Sequence, residues 1–492
     1  MKLSILVLVV SLSLAGCRNT SPANSGGAGA AGMAGTTAAA AGIAALATAG
    51  DRSVEPSAGA GPRAGTGAVN AGTSAAGSGG GGGGANASAG SSGSAGDHDT
   101  GGTGDTSGTS GSGGGQPGCG ANLLPVPEDP KLRGPWTVGV RTVTIGRLTA
   151  EVFYPAEPGS TDGMPEATYD IRDWLPPEEK AKVPDANSPA VKPIGGNLFR
   201  DAPIDAKHGP YPVVVMIHGT SSFRIASGST NTHWASRGFV VIAADYPGLG
   251  LRDQLSTTLE CGYPATGEQD IAADVQAQIA AMTDATGMLA FLAGRVDMSR
   301  LGISGHSQGA CMAAVLSDLP NVQIILPMTG STNASPSGSL KSIMWIAGMD
   351  DTVIGYDQPL IGNVVCPGNP GPAISNVAAY NDSPGAPTIK RLVGITGGGH
   401  LVPSDLCQKN AQGRNAIEEA QQDGVCGISS AVIIGLPALF DCGTIEMEKG
   451  IEAVNYASTA ALEETLHCKN RDAQFTNLRT NLPQVGDFQH TP

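Results

Sequence analysis

The chain has 492 residues, of which 72 are glycine and only 20 are Phe, Trp or Tyr, the first of these being Trp136. A segment of 135 residues without one aromatic ring cannot build an ordinary core, so the length does not stand for three similar domains. Of 28 basic and 43 acidic side chains, 6 and 7 fall in residues 1–135, which leaves 22 and 36 in the rest and a net charge of −14 there. So acidic a body argues against nucleic acid and against electrostatic docking on anionic lipid.

Residues 1–17 read MKLSILVLVVSLSLAGC. Lys2 gives a basic start, and residues 3–14 form an apolar run too short to span a bilayer permanently. Leu14-Ala15-Gly16-Cys17 then resembles the lipobox of bacterial lipoproteins. That resemblance implies a signal peptide over residues 1–16, acylation of Cys17 and a membrane partner through this N-terminal lipid anchor. The location implied is an exported lipoprotein of the outer membrane, cell surface or periplasm; the alternative is a plain secretory signal with a chance cysteine. Residues 17–118 are mostly Gly, Ala, Ser and Thr and are expected to be a disordered tether with an r.m.s. span of roughly 50–60 Å. Asp97-His98-Asp99 reads as solvated linker charge rather than a metal site.

Residues 119–492 are expected to form one α/β domain. Residues 137–145 and 148–154 read as a β-hairpin turning at Gly146-Arg147. A proline-rich insertion covers about residues 156–210. Residues 213–217 and 239–244 are continuous apolar runs, the pattern of strands buried on both faces. A helix is expected over residues 270–292, with Ile271, Val275 and Ile279 on one stripe. A strand at 301–304, a helix at 308–316, strands at 322–328, 343–347 and 389–395, and a helix at 446–466 complete the pattern. Strands alternating with helices imply a mainly parallel sheet covered on both faces.

Gly305-His306-Ser307-Gln308-Gly309 matches G-x-S-x-G and sits between a strand and a small-residue helix. On such a turn a serine is held in a strained conformation with its hydroxyl exposed, and the glycines let strand and helix approach. Serine needs a base, and the base needs a carboxylate to orient it. In the template for this motif the acid and then the histidine follow at the ends of later strands. Asp350-Asp351 follows residues 343–347, and His400, on a glycine loop, follows residues 389–395. Two backbone amides must meet the oxyanion. One is that of Gln308; the other is expected at Thr220, with Ser221 as alternative. His218 and His306 read as loop-shaping residues. No metal-ligand or phosphate-loop motif is present, so no metal or cofactor is implied.

At these residues a resemblance can be stated. From Trp136 to about Leu466 the chain is similar to the α/β-hydrolase superfamily, and within it to the platelet-activating-factor acetylhydrolase, chlorophyllase and polyester-hydrolase group. The matching segments are Val152-Phe153-Tyr154-Pro155, residues 211–219 (YPVVVMIHG) and residues 297–307 (DMSRLGISGHS). The resemblance implies an α/β-hydrolase fold with an eight-stranded, mainly parallel sheet. It also implies carboxylic ester hydrolysis through an acyl-enzyme, with Ser307, Asp351 and His400 as catalytic residues. Asp351 is favoured over Asp350 because those families place the acid three residues after the glycine; Asp357 is a remote third option. Gln308 replaces the usual Phe or Met, His306 stands where polyester hydrolases have tryptophan, and Ala310 replaces a common glycine.

Beyond Cys17, eight cysteines in an exported chain suggest disulfides. The expected pairs are Cys407–Cys426 and Cys442–Cys468, pinning an irregular segment over residues 404–442; Cys311 is expected to be a small buried hydrophobe. The leading expectation is a monomeric, tethered, extracytoplasmic serine esterase or lipase acting on an ester substrate. The alternatives are a cutinase-like polyester hydrolase and a catalytically silent, surface-displayed binding module.

Overall fold

The computed structural model describes residues 119, 122–188, 190–257, 261–334, 338–360, 374–428 and 440–492. The expected signal segment, Cys17, the expected tether with Asp97-His98-Asp99, and Cys366 lie outside the described residues.

Ten strands form one sheet: β1 (Val138–Ile145), β2 (Leu148–Pro155), β3 (Leu198–Arg200), β4 (Tyr211–Ile217), β5 (Val240–Asp245), β6 (Val296–His306), β7 (Val322–Met328), β8 (Ser342–Gly348), β9 (Ile389–Ile395) and β10 (Val485–Thr491). Their spatial order is β10-β9-β8-β7-β6-β4-β5-β2-β1-β3. From β5 through β9 every neighbouring pair is parallel; β2 joins β5, and β10 joins β9, antiparallel.

Side-chain alternation along the strands divides the interior in two. Val213, Val215 and Ile217 of β4 join one core, while Val214 and Met216 join the other. The Ile271–Asp284 and Gln308–Val315 helices cover the first core through Val275, Met282, Met312 and Ala313. The Gly228–Ser236 and Met447–Leu466 helices cover the second through Trp234, Ala235, Val454 and Leu462. The α/β class and the helices on both faces therefore agree with the sequence expectation.

The expected eight strands become ten. The two additions are edge strands that carry no apolar run. β3 has three residues and pairs only with β1; β10 reads VGDFQHT and is mostly half-buried, so its pattern is polar. The helix expected over residues 270–292 stops at Asp284, where Ala285 turns left-handed (φ 45°), and a separate 3-10 turn covers Gly287–Leu292. The Gly228–Ser236 helix carried no periodic signal because it is buried on all sides. Some of its polar groups are met inside: Trp234 Nε1 donates to Ser458 Oγ at 3.0 Å, and His233 Nε2 donates to the Pro130 carbonyl at 2.8 Å, whereas the Thr230 hydroxyl and the Asn231 amide have no partner among the described residues.

Three disulfides join described cysteines: Cys119–Cys468, Cys261–Cys426 and Cys407–Cys442. The expected pairs Cys407–Cys426 and Cys442–Cys468 are thus both corrected. Sequence proximity suggested them, but long-range packing brings residues 165 and 349 positions apart into contact. Cys311 is buried but also disulfide-bonded, with its partner outside the described residues, so it is not a lone hydrophobe. Disulfides suit an oxidising, extracytoplasmic compartment. Among the described residues no helix is long and apolar enough to cross a membrane.

Four buried histidines make stability pH-dependent. Burial holds His218, His233, His306 and His467 below the ordinary range, His233 and His306 down to about 3. The unfolded chain protonates each of them below about pH 6.5, so it binds more protons than the folded one there. Stability therefore falls as pH drops from about 6.5 towards 3, by up to about 1.4 kcal/mol per pH unit for each histidine. Asp405, pushed up to about 6 by burial, works the other way, since its folded carboxyl takes a proton before the unfolded one. With these histidines, and His490 also lowered by burial, against one carboxyl, urea melts are expected to show a lower midpoint at pH 5 than at pH 7. An equal or higher midpoint at pH 5 would contradict this account.

Candidate active site

The candidate residues stand where parallel strands end. β4 runs into His218-Gly219-Thr220, β6 into Ser307, β8 into Asp350-Asp351, and β9 into the loop carrying His400. All four loops lie on the carboxyl edge of the sheet, where α/β sheets leave room for a ligand.

Ser307 has φ 55° and ψ −119°, a conformation that an L-residue adopts only under strain. The turn is held by the Ser307 amide, which donates to the Met328 carbonyl at 3.0 Å, and by the Gln308–Val315 helix that follows. Close approach forces the glycines. A Cβ on Gly309 would collide with the Ile217 and His218 carbonyls, and one on Gly219 would stand 2.8 Å from Ser307 Cβ. Because the obstacle at Gly309 is strand backbone, Gly309→Ala is expected to cost about 3 kcal/mol, read as a lower urea midpoint; an unchanged midpoint would refute the packing argument.

From Ser307 a chain of hydrogen bonds runs inward. His400 Nε2 lies 2.9 Å from Ser307 Oγ, and His400 Nδ1 lies 2.9 Å from Asp351 Oδ2. The other Asp351 oxygen accepts from the amides of Val353 at 2.7 Å and Ile354 at 2.9 Å, which fixes the carboxylate. Asp351 and His400 are 5% and 1% exposed. Between an acceptor-only carboxylate and a hydroxyl, the ring is protonated on Nδ1 and accepts at Nε2. Asp350 and Asp357 point elsewhere and are exposed.

Thr220 and Gln308 are linked through their side chains, the threonine hydroxyl donating to Gln308 Oε1 at 2.6 Å. Among the described residues neither backbone N–H has an acceptor, whereas the Ser221 amide is occupied by the Leu249 carbonyl at 3.0 Å. The first amide of a helix has no intrahelical partner and lies at the positive end of the helix dipole. Gln308 directly follows Ser307, and Gly219, next to Thr220, packs against Ser307, whereas the Ser221 amide is already engaged.

His218 and His306 each hydrogen-bond to backbone in the loops around Ser307. Tyr246 N–H donates to His218 Nε2 at 3.2 Å, and His218 Nδ1 donates to the Gly219 carbonyl at 2.8 Å. His306, kept neutral by burial and by the neighbouring His400, donates from Nε2 to the His400 carbonyl at 2.9 Å.

Sequence reasoning missed Asp441. Its Oδ2 accepts from the Thr352 hydroxyl at 3.0 Å, its Oδ1 from the Gly443 amide at 2.8 Å, and its carbonyl from the Leu401 amide at 2.8 Å. One residue thus ties the acid loop to the histidine loop. The Cys407–Cys442 disulfide holds it there from the next position. The only available signal was that adjacent cysteine.

The insertions expected at 156–210 and 404–442 meet over the loop after β4. Between them lies an apolar pocket walled by Leu175, Phe223, Leu251, Ile417, Ile428 and Phe440, with Ser221 at one side. Ser307 does not line it; Ser221 is the lining residue nearest in sequence to Thr220. Among the described residues no group of three or more His, Cys, Asp or Glu is placed to hold a metal ion.

A hydroxyl joined to a carboxylate-backed imidazole can give up its proton as it attacks a carbonyl carbon, and two facing amides can carry the negative charge that results. No protein-family model matches the chain, and no curated protein matches it.

Proposed function

We propose that the protein is a serine hydrolase that cleaves carboxylic esters through an acyl-enzyme, on an α/β-hydrolase fold. The observation that carries this reading is the continuous Asp351–His400–Ser307 hydrogen-bond chain; the amides of Thr220 and Gln308, without an acceptor among the described residues, are suited to the oxyanion. Ser307 Oγ attacks the ester carbonyl while His400 takes its proton; the two amides receive the oxyanion; His400 then returns the proton to the departing alcohol. Water, activated by the same ring, releases the acid. Asp351 holds the ring in the right tautomer and stabilises its cation. The order Ser, Asp, His along the chain and the strained serine turn support the hydrolase-fold reading. The apolar pocket beside Ser221 is suited to the acyl chain.

The disulfides support an exported enzyme, and the Leu14-Ala15-Gly16-Cys17 motif supports attachment through a lipidated Cys17. A fluorophosphonate probe tests the catalytic reading. The full chain is expected to be labelled once, and labelling that survives Ser307→Ala would sink the proposal.

A further inference from the structure

His400 sits on a loop that cannot hold itself in place. Gly397, Gly398 and Gly399 precede it, and glycine leaves a backbone more conformational freedom than any other residue. Yet a reacting group has to be kept within about 0.5 Å of its working position. The restraint comes from a distant part of the chain, residues 441–445.

This segment lies along the glycine loop. The Gly397 carbonyl accepts from the amides of Thr444 at 2.7 Å and Ile445 at 3.0 Å, Gly398 forms an antiparallel bridge with Gly443, and the Leu401 amide donates to the Asp441 carbonyl at 2.8 Å. The contacts therefore fall on both sides of His400. They are close enough to exclude a side chain: a Cβ on Gly399 would stand 2.4 Å from the Gly443 nitrogen and 2.6 Å from both the carbonyl oxygen and Oδ1 of Asp441.

Asp441 also reaches the acid loop. Its Oδ2 accepts from the Thr352 hydroxyl at 3.0 Å and from the Thr352 amide at 3.3 Å, while Oδ1 is fixed by the Gly443 amide at 2.8 Å. Thr352 directly follows Asp351. The loops that supply the two ends of the His400–Asp351 hydrogen bond are thus both referred to one residue. Its neighbour Cys442 is crosslinked to Cys407, which lies farther along the same loop as His400.

We propose that Asp441 is a positioning residue for the reaction, setting the His400 loop against the Asp351 loop, and that the Cys407–Cys442 disulfide keeps it there. The inference rests on the esterase reading. Asp441 acts through Thr352, Gly443 and Leu401, not on the substrate, so its loss falls on kcat: misplacing a catalytic group by about 1 Å costs on the order of 100-fold in rate. When the disulfide forms, two thiols give up two protons and two electrons to a disulfide oxidant, which becomes two thiols. The chain is then a weaker esterase before that step than after it.

The test measures kcat, KM and the urea midpoint of full-chain variants on p-nitrophenyl butanoate. Asp441→Ala is expected to lower kcat about thirtyfold with KM within about twofold of the parent. Thr352→Val, an exposed change that removes one hydrogen bond to Asp441, is expected to lower kcat about fivefold. The double variant is expected to lose no more than Asp441→Ala alone, because the two residues act through one contact. Cys407→Ser with Cys442→Ser is expected to lower kcat about tenfold. Cys119→Ser with Cys468→Ser is expected to lower the urea midpoint and leave kcat unchanged. Disulfides with a merely structural role would lower the midpoint in both pairs and kcat in neither. The Asp441 and Thr352 variants keep every cysteine, so they carry the test if the serine pair does not fold. A kcat within about twofold of the parent in Asp441→Ala, or losses that simply multiply in the double variant, overturns the positioning role. Equal kcat in the two serine pairs overturns the part given to the disulfide. Either result leaves the esterase standing. A parent chain that neither hydrolyses the ester nor takes the fluorophosphonate label overturns the esterase reading and this inference with it.

Discussion

Ser307→Ala is expected to lower kcat on a simple ester by a factor on the order of 10⁶ while leaving the urea midpoint unchanged or raised. The size follows from the mechanism. Without Oγ there is no acyl-enzyme, and His400 has no proton to take; what survives is water attack beside two amide donors. The stability expectation has a separate source. Ser307 is held at φ 55°, and alanine must adopt the same strained conformation, so the backbone cost is shared. The lost hydroxyl had one partner in the fold, His400 Nε2, which solvent can replace. A residual rate within tenfold of the parent would mean that the chemistry resides elsewhere.

Asp351→Asn is expected to cost about 10⁴ in kcat, and Asp350→Asn less than about twofold. The two aspartates are neighbours, yet only one is gripped. The Val353 and Ile354 amides hold one Asp351 oxygen, so the other must face His400 Nδ1. An amide at that position can present an N–H to Nδ1, which drives the ring proton to Nε2 and removes the acceptor for Ser307. Asp350 is exposed and uses its backbone amide, not its carboxylate, to bind the Gly398 carbonyl at 3.0 Å. The paired variants, assayed side by side on one ester, separate the roles; equal losses would contradict the assignment.

Much of this was legible in the residues. Strands buried on both faces announce themselves as unbroken apolar runs, and β7 and β9 fall at residues 322–328 and 389–395 as expected. Ser307 and His400 were legible because a serine between glycines and a histidine after them have few other reasons to stand at strand ends. Asp441 was not, since it acts through three loop contacts that no spacing encodes. Edge strand β10 was hidden because most of its residues are only half-buried and its sequence is largely polar. The disulfides were hidden for a topological reason: Cys261 and Cys426 are brought together by folding of the whole domain, which local separation does not report.

The Cys119–Cys468 crosslink also has a mechanical consequence. Cys468 follows directly on the Met447–Leu466 helix, whose neighbourhood is locked by Glu463 between Arg237 and Arg471. Tension arriving along the chain before Cys119 therefore enters the body through a covalent bond at the end of a helix packed into the second core. The intervening lead-in to β1 is shunted, so the sheet cannot be unzipped from that end by pulling while the sulfurs stay joined.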